Sequence, residues 1–423
     1  MSLFDIAAVL LGFAAALGYL NHRWLRLPPA IGILVIALAG SLLILLFDRL
    51  APAWSIRPTI DAFLKRIDFT DAMLHGMLCF LLFAGALHVQ WEGLRRDAWT
   101  IGALATLGVA ISTAVVGALA FWLLPVFGLR VPWLVCLLFG ALISPTDPIT
   151  VLALLKTLDA PRDLEAKIAG ESLFNDGVGV VAFFTVLGLA GLGAASGGVS
   201  PTSVSGAALF LLRQIGGGTA VGLGFGWAAF VALKGIDYGP IELLITLALV
   251  MLTYACSFWL AVSGPIAVVA AGILIGNHGR RHAMSAATRT LIEAFWGMVD
   301  EILTAVLFLL LGLQAFAIRW DGPIVLAGIV TIPIVLAARF VSVFVSVAAL
   351  DRTALPRRGL LALLTWGGLR GGLSVAMVLS LPPFADKNLL LTLTYAVVVF
   401  SVVVQGLSMP RLCAHYGLRR APG

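Results

Sequence analysis

The stretch AIGILVIALAGSLLILLF, residues 30–47, contains no charged side chain, and apolar runs of similar length recur from one end of the chain to the other. A bilayer core of about 30 Å takes roughly 20 apolar residues of helix to cross. Inside it the backbone has no water to bond with, so a spanning segment is either a helix or part of a closed barrel. A barrel would show segments of about ten residues alternating in hydropathy, which is not the pattern here. Composition agrees: 61% of the residues are hydrophobic and 11% charged, with a mean hydropathy of +1.06. The expected fold class is an all-α polytopic membrane protein.

Breaking the apolar runs at charges and at Pro/Gly clusters predicts about thirteen spans: 3–20, 29–47, 70–89, 99–125, 131–156, 165–193, 206–233, 240–261, 263–277, 298–317, 322–349, 358–381 and 388–410. An odd number puts the termini on opposite sides. Of the 27 Lys and Arg, Arg213, Arg339 and Arg370 fall within spans. With the N-terminus outside, the remaining 24 divide seventeen to the cytoplasm and seven to the other face. Positive charge collects on the cytoplasmic side, so the expected topology is N-terminus out and C-terminus in. The first run is followed by Asn21, His22 and Arg23 rather than a small-residue cleavage site, and is expected to remain as a span. The net charge of +6 is spread over many short loops, which speaks for topology and against a nucleic-acid partner. Cys79, Cys136, Cys256 and Cys413 have no paired or metal-like spacing and are expected to pack as small residues.

Ionisable groups at membrane depth cost at least about 2.5 kcal/mol each on insertion scales and need a partner or a wet cavity. The candidates are Asp147, Glu171, Asp176, Arg213, Glu301, Arg339 and Arg370. Arg213, beside Gln214, reads as structural, and Glu301, beside Asp300, as lying near a helix start. Asp147 sits in ALISPTDPITVLALL, where Pro145 and Pro148 bracket Thr146 and Asp147 in mid-span. Proline removes a backbone donor and clashes with the preceding turn, so the fifth span should be broken there. The twelfth span holds TWGGLRGGLSVAMVLSLP, with four glycines flanking Arg370. Two interrupted spans seven helices apart suit an inverted repeat, spans one to six matching eight to thirteen. Half-helices that meet at mid-membrane expose opposite dipole ends. Asp147 is placed to neutralise the positive end and Arg370 the negative one.

GESLFNDGVGVV, residues 170–181, puts Glu171, Ser172, Asn175 and Asp176 within about a turn and a half of helix. Ser172 and Asp176 share a face. Carboxylate, hydroxyl and amide oxygens are hard ligands for a small cation, and Thr146 can add another from the unwound fifth span. Desolvation favours a protonated carboxylate and a bound cation an ionised one, so Asp176 can hold a proton or a metal cation but not both. That exclusivity is the chemistry of antiport. Glu171 would be an unpaired charge unless an arginine meets it, and Arg339 is available; Arg370 is the other candidate.

In this order, SPTDPI, GESLFNDG and GGLRGGLS resemble the NhaP and NHE type of monovalent cation:proton antiporters, over nearly the whole chain. The resemblance implies a six-helix transport bundle (98–195 and 321–412) that moves like an elevator beside dimerisation helices (1–97 and 235–320). A linking helix (196–234) and a short cytoplasmic tail (413–423) complete the chain. It further implies that Asp176 binds the cation or proton with Asn175 beside it, that Thr146 and Ser172 supply oxygens, and that Asp147 supports the crossing. Glu171 would pair with Arg339. Many relatives with Asn-Asp at these two positions exchange one cation for one proton. The implied partners are Na+, with Li+ or K+ as alternatives, H+, the lipid bilayer and a second copy of the chain. The implied location is a bacterial inner membrane. No cofactor and no enzymatic activity are implied.

One departure bears on the cation. Several relatives have an acidic residue where Ala84 stands, which leaves the choice between Na+ and K+ open; His88, one turn on, is a candidate substitute but reads first as an interface residue. The His278, Arg280, Arg281 and His282 cluster reads as a solvated loop before a pH-sensing patch. Two other classes fit less well. A channel would present an open ring of ligands. An intramembrane hydrolase would use Asp147 and Asp176 as a catalytic pair.

Overall fold

The computed structural model describes residues 3–51, 60, 72–147, 151, 162–192, 204–316, 318, 320–350 and 357–416. Pro148, the fifth predicted span beyond Asp147 apart from Val151, the tail from residue 417, and the loop cations Arg57, Lys65, Arg66, Lys156, Arg319, Arg352, Arg419 and Arg420 lie outside the described residues. Among the described residues every regular element is helical. The first half of the chain holds α1 (Leu3–Leu20), α2 (Pro29–Leu50), α3 (Leu78–His88), α4 (Ala98–Ala105), α5 (Leu107–Leu123), α6 (Trp133–Ile143) and α7 (Arg162–Leu189). The second half holds α8 (Val204–Lys234), α9 (Gly239–Trp259), α10 (Gly264–Leu274), α11 (Ala286–Leu313), α12 (Gly322–Leu350), α13 (Arg357–Trp366), α14 (Gly372–Leu379), α15 (Lys387–Phe400) and α16 (Gly406–His415). Nine described helical segments are long and apolar enough to cross a membrane, and α3 and α6 are shorter apolar helices.

The helices pack through small residues, as expected where lipid removes the hydrophobic drive between spans. A methyl group on Gly117 of α5 would lie 2.9 Å from the Cα of Leu137 in α6. Ser41 of α2 donates a hydrogen bond to the Gly312 carbonyl of α11 at 3.1 Å. Among the described residues two apolar cores are the largest. The larger joins α6, α7, α14 and α15 to α2, α3 and α11, and the second gathers α3, α8, α9, α10 and α11 around Trp296. That indole is fully buried, with its ring centroid 4.7 Å from Phe83 and its N–H on Thr246 Oγ1 at 3.1 Å.

The tenth span was expected to begin at 298, with Glu301 near its start. Instead α11 begins at Ala286 behind a Ser285 cap, which places the exposed Glu301 deep inside the helix. The reason is amphipathicity. Thr288, Ile292 and Trp296 recur every four residues on a buried face, while Glu293 faces outward to pair with Arg280 at 2.7 Å. A hydropathy window breaks at such charges, whereas a helix tolerates them on one side. His278 and His282, expected in a loop, lie on short helical turns, with their rings 4.5 Å apart.

Candidate ion-binding site

Pro145 has no N–H to continue the hydrogen-bond ladder, and α6 ends at Ile143 just before it. Residues 144–147 run on without helical structure. In the second half of the chain, α13 stops at Trp366 and α14 starts at Gly372. The two irregular segments meet directly, the Asp147 N–H donating to the Leu369 carbonyl at 2.8 Å. Close approach depends on glycine. A Cβ on Gly371 would overlap the Asp147 carboxylate, and one on Gly368 would overlap the Arg339 guanidinium.

The ends of α6 and α13 leave carbonyls without intrahelical partners, and two buried arginines take them. Arg370 Nη1 donates to the Ser144 carbonyl and to Pro145 O at 2.9 Å, at the negative end of α6. Arg339 donates from Nε at 3.2 Å and from Nη2 at 2.9 Å to Leu364 O, near the end of α13. Arg339 also grips Glu171 of α7 with both Nη atoms, Nη1 to Oε1 and Nη2 to Oε2 at 2.9 Å. Arg370 lies instead on the α6 carbonyls. Asp147 lies against Gly371, the residue that caps the start of α14, at that helix's positive end.

Three of the polar candidates meet on α7. Asn175 Oδ1 accepts the Thr146 N–H at 3.2 Å, and Asn175 Nδ2 donates to Thr146 Oγ1 at 2.7 Å. Thr146 Oγ1 lies 3.0 Å from Ser172 Oγ. All three residues are buried. Asp176, next along the same helix, is only partly buried. Its carboxylate has neither a hydrogen bond nor an ion pair among the described residues. Beyond it toward the C-terminal end of α7, Val181 and Phe184 close on Phe210 of α8 and Ile266 of α10. Among the described residues the arrangement offers one available carboxylate, Asp176, next along α7 from a cluster of neutral oxygens, while Glu171, Arg339, Arg370 and Asp147 lie against an opposite charge, a carbonyl or a helix end.

Of the remaining candidates, Arg213 is exposed and donates to Leu260 O at 3.1 Å. Ala84 is buried. His88 is exposed, with Nδ1 2.7 Å from the Ala84 carbonyl oxygen. Sequence reasoning missed two features. Lys167, assigned to a loop, is fully buried one turn before Glu171, with Nζ 3.5 Å from Asp97. Its spacing of four residues from Glu171 was the available signal. The other is the polar pair Ser401 and Gln405, also four apart, in the last apolar span.

The family profile described as "Sodium/hydrogen exchanger, transmembrane" matches residues 12–415. The Na(+)/H(+) antiporter NhaP of Pseudomonas aeruginosa is 44% identical over 96% of this chain and 95% of its own. The Na(+)/H(+) antiporter NhaH of Halobacillus aidingensis is 32% identical over 94% of each. The solved sodium proton antiporter MjNhaP1 of Methanocaldococcus jannaschii matches at a TM-score of 0.72 and 19% identity, over 98% of this chain and 99% of that one. This last likeness concerns the fold.

Proposed function

The chain belongs to the sodium/hydrogen exchanger family, a family of transporters and not of enzymes, and from that premise we propose that it exchanges a monovalent cation for H+ on Asp176. The observation that carries this reading is the Asp176 carboxylate itself. Asp147 lies at a helix end and Glu171 is held by Arg339, whereas Asp176 is partly accessible and makes no bond to another described side chain. Such a group takes up a proton or a cation according to which is offered. Ser172 and Thr146 supply the neutral oxygens, and Asn175 ties the α7 ligands to the crossing. Asp147 and Arg370 neutralise the half-helix ends, so that the charge that varies is the one on Asp176.

Na+ is the cation that the relatives' names favour, with Li+ as its close analogue. K+ is a second reading supported by one observation: Ala84 adds no carboxylate to the site. Residues 98–195 and 321–412 form the moving bundle in this proposal. Residues 1–97 and 235–320 form the panel on which two copies pair, 196–234 link the two, and 413–423 are a cytoplasmic tail. The protein resides in a bacterial inner membrane with its N-terminus outside.

The test is cation-driven proton movement in proteoliposomes, run with Na+, Li+ and K+. Wild type should show saturable coupling, with apparent cation affinity weakening as pH falls, by up to about tenfold per pH unit once protons dominate the site. Asp176→Asn should abolish exchange in a protein that still folds. Coupled exchange by that variant at normal expression would end the single-carboxylate mechanism.

A further inference from the structure

The last span is not a continuous α-helix. Between α15 and α16 it widens into a π-helical turn over Ser401–Gln405, a local geometry often found at functional positions. Both end residues of that turn are buried and face the second interrupted segment. Ser401 Oγ accepts the Arg370 N–H at 2.9 Å and donates its own proton to Gln405 Oε1 at 2.7 Å. Gln405 Nε2 donates to the Trp366 carbonyl at 3.0 Å. The pair therefore holds the segment on both sides of Gly367 and Gly368, at the last residue of α13 and at Arg370.

From Arg370 the bonds continue without interruption. Its Nη1 is on the Ser144 and Pro145 carbonyls, Thr146 follows, and Thr146 is bonded to Asn175 and Ser172. We propose that Ser401 and Gln405 are positioning residues that set where Thr146 stands relative to the α7 ligands, and thereby the affinity and selectivity for the transported cation. The proposal rests on the exchanger reading above, but concerns a different part of the molecule. Ser401 and Gln405 stand at the two ends of the π turn, and each addresses a different point of the second interrupted segment. Neither side chain touches the ion. A ligand displaced by a few tenths of an ångström changes ion binding, whereas movement of a loaded bundle depends little on it.

The experiment measures KM and kcat for Na+ and Li+ in proteoliposomes, and Na+-induced thermal stabilisation of the purified protein. Ser401→Ala should raise the Na+ KM by about fivefold, the scale of one lost hydrogen bond. It should also alter the Na+ to Li+ ratio and leave kcat within about twofold. Ser401→Thr, which keeps the hydroxyl, should restore both. Gln405→Met, near-isosteric and uncharged, should act in the same direction and serves if Ser401→Ala does not fold. In a Thr146→Ala background the effect of Ser401→Ala on KM should shrink, because the hydroxyl that bonds Ser172 and Asn175 Nδ2 is gone and only the residue-146 N–H still reaches Asn175 Oδ1. An unchanged KM and selectivity, or an effect that adds fully to that of Thr146→Ala, would overturn the proposal. Wild-type exchange in the same vesicles reports separately on the exchanger reading.

Discussion

At the residue scale, Glu171 and Arg339 carry the largest energetic stake. Both are buried and bonded through two parallel contacts, a geometry that satisfies both charges at once. Removing one partner leaves a bare charge in a low-dielectric interior and should cost about 3–5 kcal/mol. Removing both should be milder than the sum of the two. Arg339 additionally holds Leu364 O, so Arg339→Ala should destabilise more than Glu171→Ala. A double-mutant cycle by thermal denaturation in detergent checks both statements, and simple additivity would contradict the pairing.

At the scale of elements, the crossing depends on the thinness of its strands. Gly371→Ala would push a methyl group into the Asp147 carboxylate and separate Asp147 N from Leu369 O. Overpacking of this kind typically costs about 1–3 kcal/mol. The expected outcome is a folded protein with strongly reduced exchange, read by transport and by size-exclusion chromatography of the same preparation. On the surface, Glu92 of the short helix Trp91–Arg96 pairs with Arg281. The hydrogen bond from Arg281 holds the Glu92 carboxyl below its ordinary value. The clip therefore contributes above the ordinary carboxylate range and is lost only as pH falls through that lowered value. Glu92→Gln should leave the shape of the pH–activity profile between about pH 6 and 9 unchanged, because Glu92 is ionised throughout that range. A displaced profile would place a pH sensor in this clip.

At the scale of the whole molecule, charge balance decides how exchange responds to voltage. In the proposed cycle, a bundle that carries either a cation or a proton on Asp176, with the neutral Asn175 beside it, would have the same net charge in both directions. Moving one extra elementary charge through 100 mV would be worth about 2.3 kcal/mol, an effect easily seen in transport rates. The expectation is electroneutral one-for-one exchange, indifferent to a valinomycin-set potential in proteoliposomes. A reversal point displaced from equal and opposite gradients would bring a second titrating group into the cycle, with Asp147 the first suspect.

The all-helical membrane architecture and the three motifs were legible in the linear chain, because lipid imposes span length and helicity locally and charge at membrane depth stands out against apolar neighbours. The partnership of Glu171 with Arg339 was legible as a need for a countercharge, although the sequence left Arg370 as an alternative. Tertiary structure decided between them, since only the crossing shows that Arg370 is occupied by the α6 carbonyls. Tertiary structure also decided the start of α11, where a buried face beginning at Thr288 outweighs the charges that end a hydropathy run. The same holds for the buried Lys167–Asp97 pair and the Ser401–Gln405 hold on the second interrupted segment. Each joins residues 31 to 70 positions apart or depends on a backbone carbonyl, and a backbone carbonyl is present at every residue. Its partner is chosen by packing, and no residue type announces it in advance.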